Sequence, residues 1–212
     1  MDIVNPLAEA YAASYTSAES SLISEVAAFT LEHHPMRHML SGHVQGKFLE
    51  MISWMIRPRR ILEIGTFTGY SALCLASGLA TGGQLHTIEL RETDAATARK
   101  YFERSVFKEQ LFLHIGDAAT IIDELEESWD LVFIDADKTG YLDYFNRVLP
   151  KVNTNGFILA DNVLFHGEVL AGNKKGKNGN AIQAFNEALI SRTDIEQVLL
   201  PMRDGLLLIR KL

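Results

Sequence analysis

The chain has 212 residues, 47% of them hydrophobic and 22% charged, with a formal net charge of −7. This is ordinary globular composition, which excludes fibrous, disordered and membrane-spanning classes and gives one domain over residues 1–212 enough length for a buried core. The acidic balance disfavours nucleic acid or an anionic membrane as the main partner, and no apolar stretch reaches the roughly 20 residues that cross a bilayer.

Residues 1–3 lack the layout of a signal peptide, so a cytoplasmic location is expected. The only cysteine, Cys74, falls in the apolar run 72–76 and reads as a packing residue, not a nucleophile. Thr16 and Glu19 have capping-box spacing, and Leu22, Ile23, Val26, Ala27 and Thr30 then follow a helical period until Pro35. A second helical pattern through Val44, Phe48, Leu49, Ile52, Met55 and Ile56 stops before Pro58. Residues 1–58 are therefore expected to be helices packed on the core and the active site. His33, His34, His38 and His43 straddle Pro35 without the regular spacing of zinc ligands.

From residue 60 the text alternates. Strands are expected at Ile61–Ile64, Leu85–Ile88, Leu111–Ile115, Leu131–Ile134 and Phe157–Leu159, with helices near Tyr70–Leu79, Thr93–Phe107, Ala118–Glu126 and Tyr141–Val148. Such alternation makes a mostly parallel sheet covered on both faces. Near the end, two apolar runs at Val198–Leu200 and Leu206–Ile209 flank Asp204-Gly205, which predicts a closing antiparallel hairpin. His166 to Asn180, rich in glycine and carrying Lys174, Lys175 and Lys177, reads as a long loop, either a solvated surface or a lid.

In parallel sheets ligands bind beyond the carboxyl ends of the strands. After the first strand comes Glu63-Ile64-Gly65-Thr66-Phe67-Thr68-Gly69-Tyr70-Ser71, a G-x-x-x-G spacing and not the dinucleotide G-x-G-x-x-G. Glu63 would repel a pyrophosphate and suits a cationic amino group instead. Glu89, about 20 residues beyond Gly69, is placed to accept from ribose hydroxyls. Adenosine plus an ammonium group describes S-adenosylmethionine.

The fourth and fifth strands end in Asp135-Ala136-Asp137-Lys138 and Asp161-Asn162. Taken in isolation, Asp135 or Asp137 also reads as a cap of the next helix. Taken jointly, carboxylates and an amide oxygen are hard donors of the kind that hold Mg2+, or another divalent cation such as Mn2+ or Ca2+. A phenol, with a pKa near 10, needs its proton removed before it attacks a methyl group, and Lys138 beside a cation is a candidate acceptor. Tyr141 and Phe165, next to these residues, are candidates for substrate contact.

Leu62 to Ser71, Phe133 to Lys138, Asp161-Asn162-Val163-Leu164 and Asp204-Gly205-Leu206 together resemble, in order, the cation-dependent O-methyltransferases that include catechol and caffeoyl-CoA O-methyltransferases. The resemblance implies a Rossmann-like class I methyltransferase sheet of seven strands and a metal-dependent methyl transfer from S-adenosylmethionine to a small phenolic, catechol-type hydroxyl. It implies Asp135, Asp161 and Asn162 as metal ligands and Lys138 as the base. Glu63, Gly65, Thr66 and Ser71 would line the methionine side of the cofactor, with Asp135 close by, Glu89 the ribose, and Asp117 and Ala118 the adenine. Met39 and Ser41 fall where the family touches substrate and cofactor, and Asp137 lies within the substrate end. Related enzymes are commonly homodimers.

Val198 stands where the animal catechol enzymes carry a substrate-holding glutamate, so a different substrate grip is expected, with the loop from His166 as its substitute. Two other acceptor classes compete: a hydroxylated uridine in transfer RNA, kept open by the lysines at 174, 175 and 177, and no acceptor at all, in a non-catalytic nucleotide-binding module. A nicotinamide oxidoreductase is the last alternative, weakened by the glycine spacing.

Overall fold

The computed structural model describes residues 3–170 and 175–212. Strands β1 (Arg60–Ile64), β2 (Gln84–Glu89), β3 (Leu111–Ile115), β4 (Trp129–Ile134), β5 (Val152–Asp161), β6 (Ile195–Leu200) and β7 (Leu206–Lys211) form one sheet in the order β3-β2-β1-β4-β5-β7-β6. β1 to β5 pair in parallel, while β7 runs antiparallel to β5 and β6. This is the expected mostly parallel sheet with its closing hairpin.

Helices α1 (Pro6–Ser14), α2 (Ser21–His33), α3 (His43–Ile56), α4 (Tyr70–Ala76), α5 (Glu92–Arg104), α6 (Ala118–Glu124), α7 (Tyr141–Val148) and α8 (Lys177–Ile190) surround it. Side chains alternate across a strand, so each strand feeds two cores. Leu62, Ile64, Val132, Ile134, Ile158 and Ala160 pack against α6, α7 and α8. Ile61, Leu131, Phe133 and Leu159 face the other way, against α2, α3, α4 and α5. The strand order reverses between β1 and β4, and such a switch point opens a crevice at the carboxyl ends.

Several boundaries differ from expectation. α2 is capped by Ser20, whose hydroxyl accepts from the Ile23 amide, so Thr16 and Glu19 form no capping box. Glu19 instead accepts a short hydrogen bond from the Tyr70 hydroxyl and pairs with His43 at 3.5 Å. The stretch read as a loop to Asn180 turns helical at Lys177, because Ile182, Phe185 and Leu189 form a buried stripe. Glu168 accepts from the Gly176 amide at 2.7 Å and ties the two ends of what remains. Gly172 and Lys174 lie outside the described residues, and the question of a lid with them.

The hairpin turn is also longer than Asp204-Gly205 alone suggested: it runs over residues 201–205, with Leu200 paired to Leu206. Gly205 there takes φ +86 and packs under Leu164, where a Cβ would crowd the Leu164 backbone. Among the described residues no helix is long and apolar enough to cross a membrane.

Candidate active site

The switch-point crevice is a cavity of about 580 Å3 walled by the segments that follow β1, β2, β3, β4 and β5, by residues 36–41, and by the loop between β6 and β7. Its volume falls within the range of small-molecule sites. Met39, Ser41, Gly65, Thr66, Ser71, Glu89, Asp117, Ala118, Asp135, Asp137, Lys138, Asp161, Asn162 and Phe165 all line it. Two expected site residues do not: Glu63 and Tyr141 lie buried behind the wall.

At the β1 end the backbone turns sharply. Gly65 has φ +103, and a Cβ on it would overlap the Asp135 carbonyl, so β1 and β4 meet at a distance only glycine permits. Behind this turn Glu63 is 0% exposed. Its Oε2 accepts from the Thr87 hydroxyl at 2.5 Å, while Oε1 has no hydrogen-bond partner among the described residues. Burial raises its pKa from 4.5 to about 8; the hydroxyls of Ser71 and Thr87 oppose that shift only in part, and the charges of Asp135 and Glu89 reinforce it. A buried acid with an unpartnered oxygen suits a cationic ligand.

Glu89 ends β2 with its carboxylate toward the cavity, accepting from the Phe67 amide at 2.7 Å and the Arg91 amide at 3.0 Å. Two oxygens carry about four lone pairs, so capacity for ribose hydroxyls remains. Asp117 caps α6 by accepting from the Thr120 amide at 3.0 Å, which holds the loop after β3 against the cavity.

At the chemistry end the two acidic runs meet. Asp161 is 2% exposed. Its Oδ1 accepts from the Asn162 amide at 2.8 Å and its Oδ2 from Gln45 Nε2 at 2.7 Å. Burial and then the charge of Asp135 push its pKa above the usual carboxylate range, with Lys138 pulling the other way. Lys138 Nζ stands 3.0 Å from Asp135 Oδ1 and 2.7 Å from the Tyr141 hydroxyl, which in turn donates to the Asp161 carbonyl at 2.9 Å. Tyr141 therefore orients Lys138 from below and does not face the cavity.

Asp137 answers to the cap reading. It accepts from the Gly140 amide and the Thr139 hydroxyl, both at 3.0 Å, and from the Tyr144 hydroxyl. Asp135 caps no helix among the described residues and pairs with Lys138 instead. Asp135, Asp161 and Asn162 line the same cavity, and two carboxylates with an amide oxygen are hard donors whose chemistry fits a divalent cation.

A model of the O-methyltransferase family matches residues 13–212. The chain belongs to that family. A catechol O-methyltransferase of Niastella koreensis is 35% identical over 162 residues, covering 74% of this chain and 73% of that protein. A caffeoyl-CoA O-methyltransferase of Eucalyptus globulus is 30% identical over 190 residues, covering 84% and 77%. Among solved structures, the SAH-bound Podospora anserina methyltransferase PaMTH1 superposes with a TM-score of 0.90 at 28% identity, over 98% of this chain and 94% of that one. The protein is thus an S-adenosylmethionine-dependent O-methyltransferase, the enzyme class its motifs implied.

For an O-methyltransferase the hairpin holds a surprise. Val198 sits on β6 opposite Leu208, half exposed and away from the cavity. The hairpin residues that reach the cavity are Arg203 and Asp204, and Phe165 and His166 line it from the facing segment. Reasoning from the sequence missed Arg203 and Gln45. For Gln45 a signal was present: it is a polar residue on the apolar face of α3, four positions before Leu49, and it is 1% exposed.

Proposed function

We propose that this O-methyltransferase transfers the methyl group of S-adenosylmethionine to one hydroxyl of a small ortho-diphenol, with a divalent cation held by Asp135, Asp161 and Asn162. The observation that carries the reading is that Asp135, Asp161 and Asn162 line one cavity with Lys138, whose Nζ stands 3.0 Å from Asp135. A divalent cation held there would lower the pKa of the acceptor hydroxyl.

The protein's own groups do the rest. Lys138, aimed by Tyr141, takes the acceptor's proton. Gly65, Thr66, Ser71 and Glu89 hold the cofactor along the β1 and β2 ends, Asp117 and Ala118 bound the adenine side, and Met39, Ser41 and Phe165 close around the acceptor. Holding oxygen, carbon and sulfur in line is the main requirement of such a displacement, worth up to roughly 7–11 kcal/mol for well-oriented groups. Asp135 serves both sides, since it follows β4 between the cofactor wall and Lys138.

The test is methyl transfer to caffeic acid and other ortho-diphenols with Mg2+, then with excess chelator, products being read by mass. Addition of one methyl, abolished by chelator and restored by Mg2+, is the expected result. Equal turnover in chelator would remove the metal from the mechanism.

The same proposal includes a homodimer in the cytoplasm, where the single buried thiol of Cys74 stays reduced. Helices are stabilised mainly by burying a face, yet α1 buries no residue. Leu7, Tyr11 and Tyr15, four positions apart, are 81%, 65% and 76% exposed, and Trp54 and Met55 of the neighbouring α3 are exposed as well. A second copy would cover this stripe. Light scattering on the intact chain should give twice the monomer mass, and Tyr11→Glu should lower it toward the monomer; a monomer at every concentration rejects the dimer.

A further inference from the structure

Arg203 occupies a backbone position that does not favour it. Its φ is +48, a left-handed conformation that costs a side-chain-bearing residue about 1–2 kcal/mol. The strain accompanies a guanidinium held by three contacts: it donates to the Ser41 carbonyl, to the Leu40 carbonyl at 3.0 Å and to Gln45 Oε1 at 3.1 Å. A guanidinium has only donors, so its contact turns the Gln45 amide oxygen toward itself. The amide nitrogen is thereby left facing Asp161, to which it donates at 2.7 Å.

We propose that Arg203 and Gln45 are positioning residues, which lock the Leu40–Ser41 segment and the Asp161 carboxylate to one another. The Leu40 and Ser41 wall of the cavity is anchored through its carbonyls, and the orientation of Asp161 is set through the amide whose flip Arg203 dictates. The Asp161 half of the inference rests on the metal reading above; the Leu40–Ser41 half does not.

The test uses the full chain and needs no turnover. Mn2+ affinity is read from the free-ion signal in electron paramagnetic resonance, and S-adenosylhomocysteine affinity by calorimetry. Gln45→Met should weaken Mn2+ binding by about ten-fold or more, the usual cost of removing a group that orients a metal ligand. Arg203→Gly gives up the guanidinium contacts while leaving a residue suited to the positive φ, and it should weaken Mn2+ as well. Charge alone predicts the opposite sign, because deleting a cation beside Asp161 favours a bound cation.

Tighter Mn2+ binding in Arg203→Gly, or unchanged affinity in Gln45→Met, therefore overturns the proposal. In the double variant the losses should not multiply, since Arg203 acts through Gln45; multiplied losses overturn the relay. Arg203→Gly should also weaken S-adenosylhomocysteine several-fold, and unchanged affinity there overturns the anchoring of Leu40 and Ser41 even if Gln45→Met fails to fold. Absence of Mn2+ binding by the unaltered protein would overturn the metal reading itself and the Asp161 half with it.

Discussion

Replacing Lys138 by methionine should lower kcat by about 100- to 10,000-fold, the usual contribution of a positioned general base, while S-adenosylhomocysteine affinity changes by no more than a few-fold. Methionine keeps the length and packing of the side chain and removes the ammonium. The competing explanation is that Lys138 is only the ion-pair partner of Asp135, 3.0 Å away with both side chains mostly buried. That role predicts a lower melting temperature with turnover per folded molecule little changed, so kcat and melting temperature measured together separate the two. Tyr141→Phe supplies a graded control. Without the hydroxyl 2.7 Å from Nζ the amine keeps its charge and loses its aim, and a smaller drop, on the order of ten-fold, is expected. Turnover of Lys138→Met within three-fold of the parent would end its candidacy as the base.

The fold was legible where one physical signal dominates. Strands buried on both faces read as short apolar runs, and five such runs alternating with helices admit few arrangements other than a parallel sheet. The acids that end β4 and β5 were legible for the same reason, since a polar residue just after a buried strand must lie at the sheet's rim. Elsewhere two signals competed. Thr16 offered a cap for the first amphipathic helix, but α2, with Ile23 and Val26 buried, starts later, at Ser20. The glycines leading into α8 concealed a stripe at 182, 185 and 189 that becomes decisive only when β4 and β5 are there to receive it.

Tyr141 shows a different limit. Its proximity in sequence to Lys138 suggested substrate contact, but the first turn of α7 carries its ring inward, against Phe185, and its hydroxyl meets the site from behind, at Lys138 Nζ and the Asp161 carbonyl. Gln45 and Asp161 are brought together by tertiary packing across 116 positions, and no local pattern encodes that contact. Arg203 is harder still, since a positive φ at an arginine cannot be read from the text around it.

Glu63 should make the cofactor-free, metal-free protein less stable as pH rises from about 4.5 to about 8. In the unfolded chain its carboxyl ionises near 4.5, whereas in the fold burial holds the proton until about 8, with Asp135 and Glu89 adding to the shift. Across that window the folded state binds a proton that the unfolded state has lost, so the free energy of unfolding falls with pH; above it both states are ionised and the slope vanishes. Glu63→Gln cannot lose a proton and should remove the part of the slope that Glu63 contributes, leaving the part due to Asp161, whose pKa is also raised. The shift corresponds to at most roughly 5 kcal/mol, and relaxation around a buried charge brings the expected stabilisation near pH 8.5 to about 2 kcal/mol. The opposite holds for ligand: a cationic cofactor in the cavity favours the ionised acid, so binding near pH 7 should release up to about one proton in the parent and none in Glu63→Gln, which should also bind more weakly. Denaturant melts in chelator across this range, with calorimetry in buffers of different ionisation enthalpy, measure both. Parallel pH slopes for the two proteins would mean that Glu63 is already ionised and partnered in the free enzyme. A slope reduced in Glu63→Gln, together with proton release on cofactor binding in the parent alone, would show that the protein gives up stability at this acid in order to bind a cation.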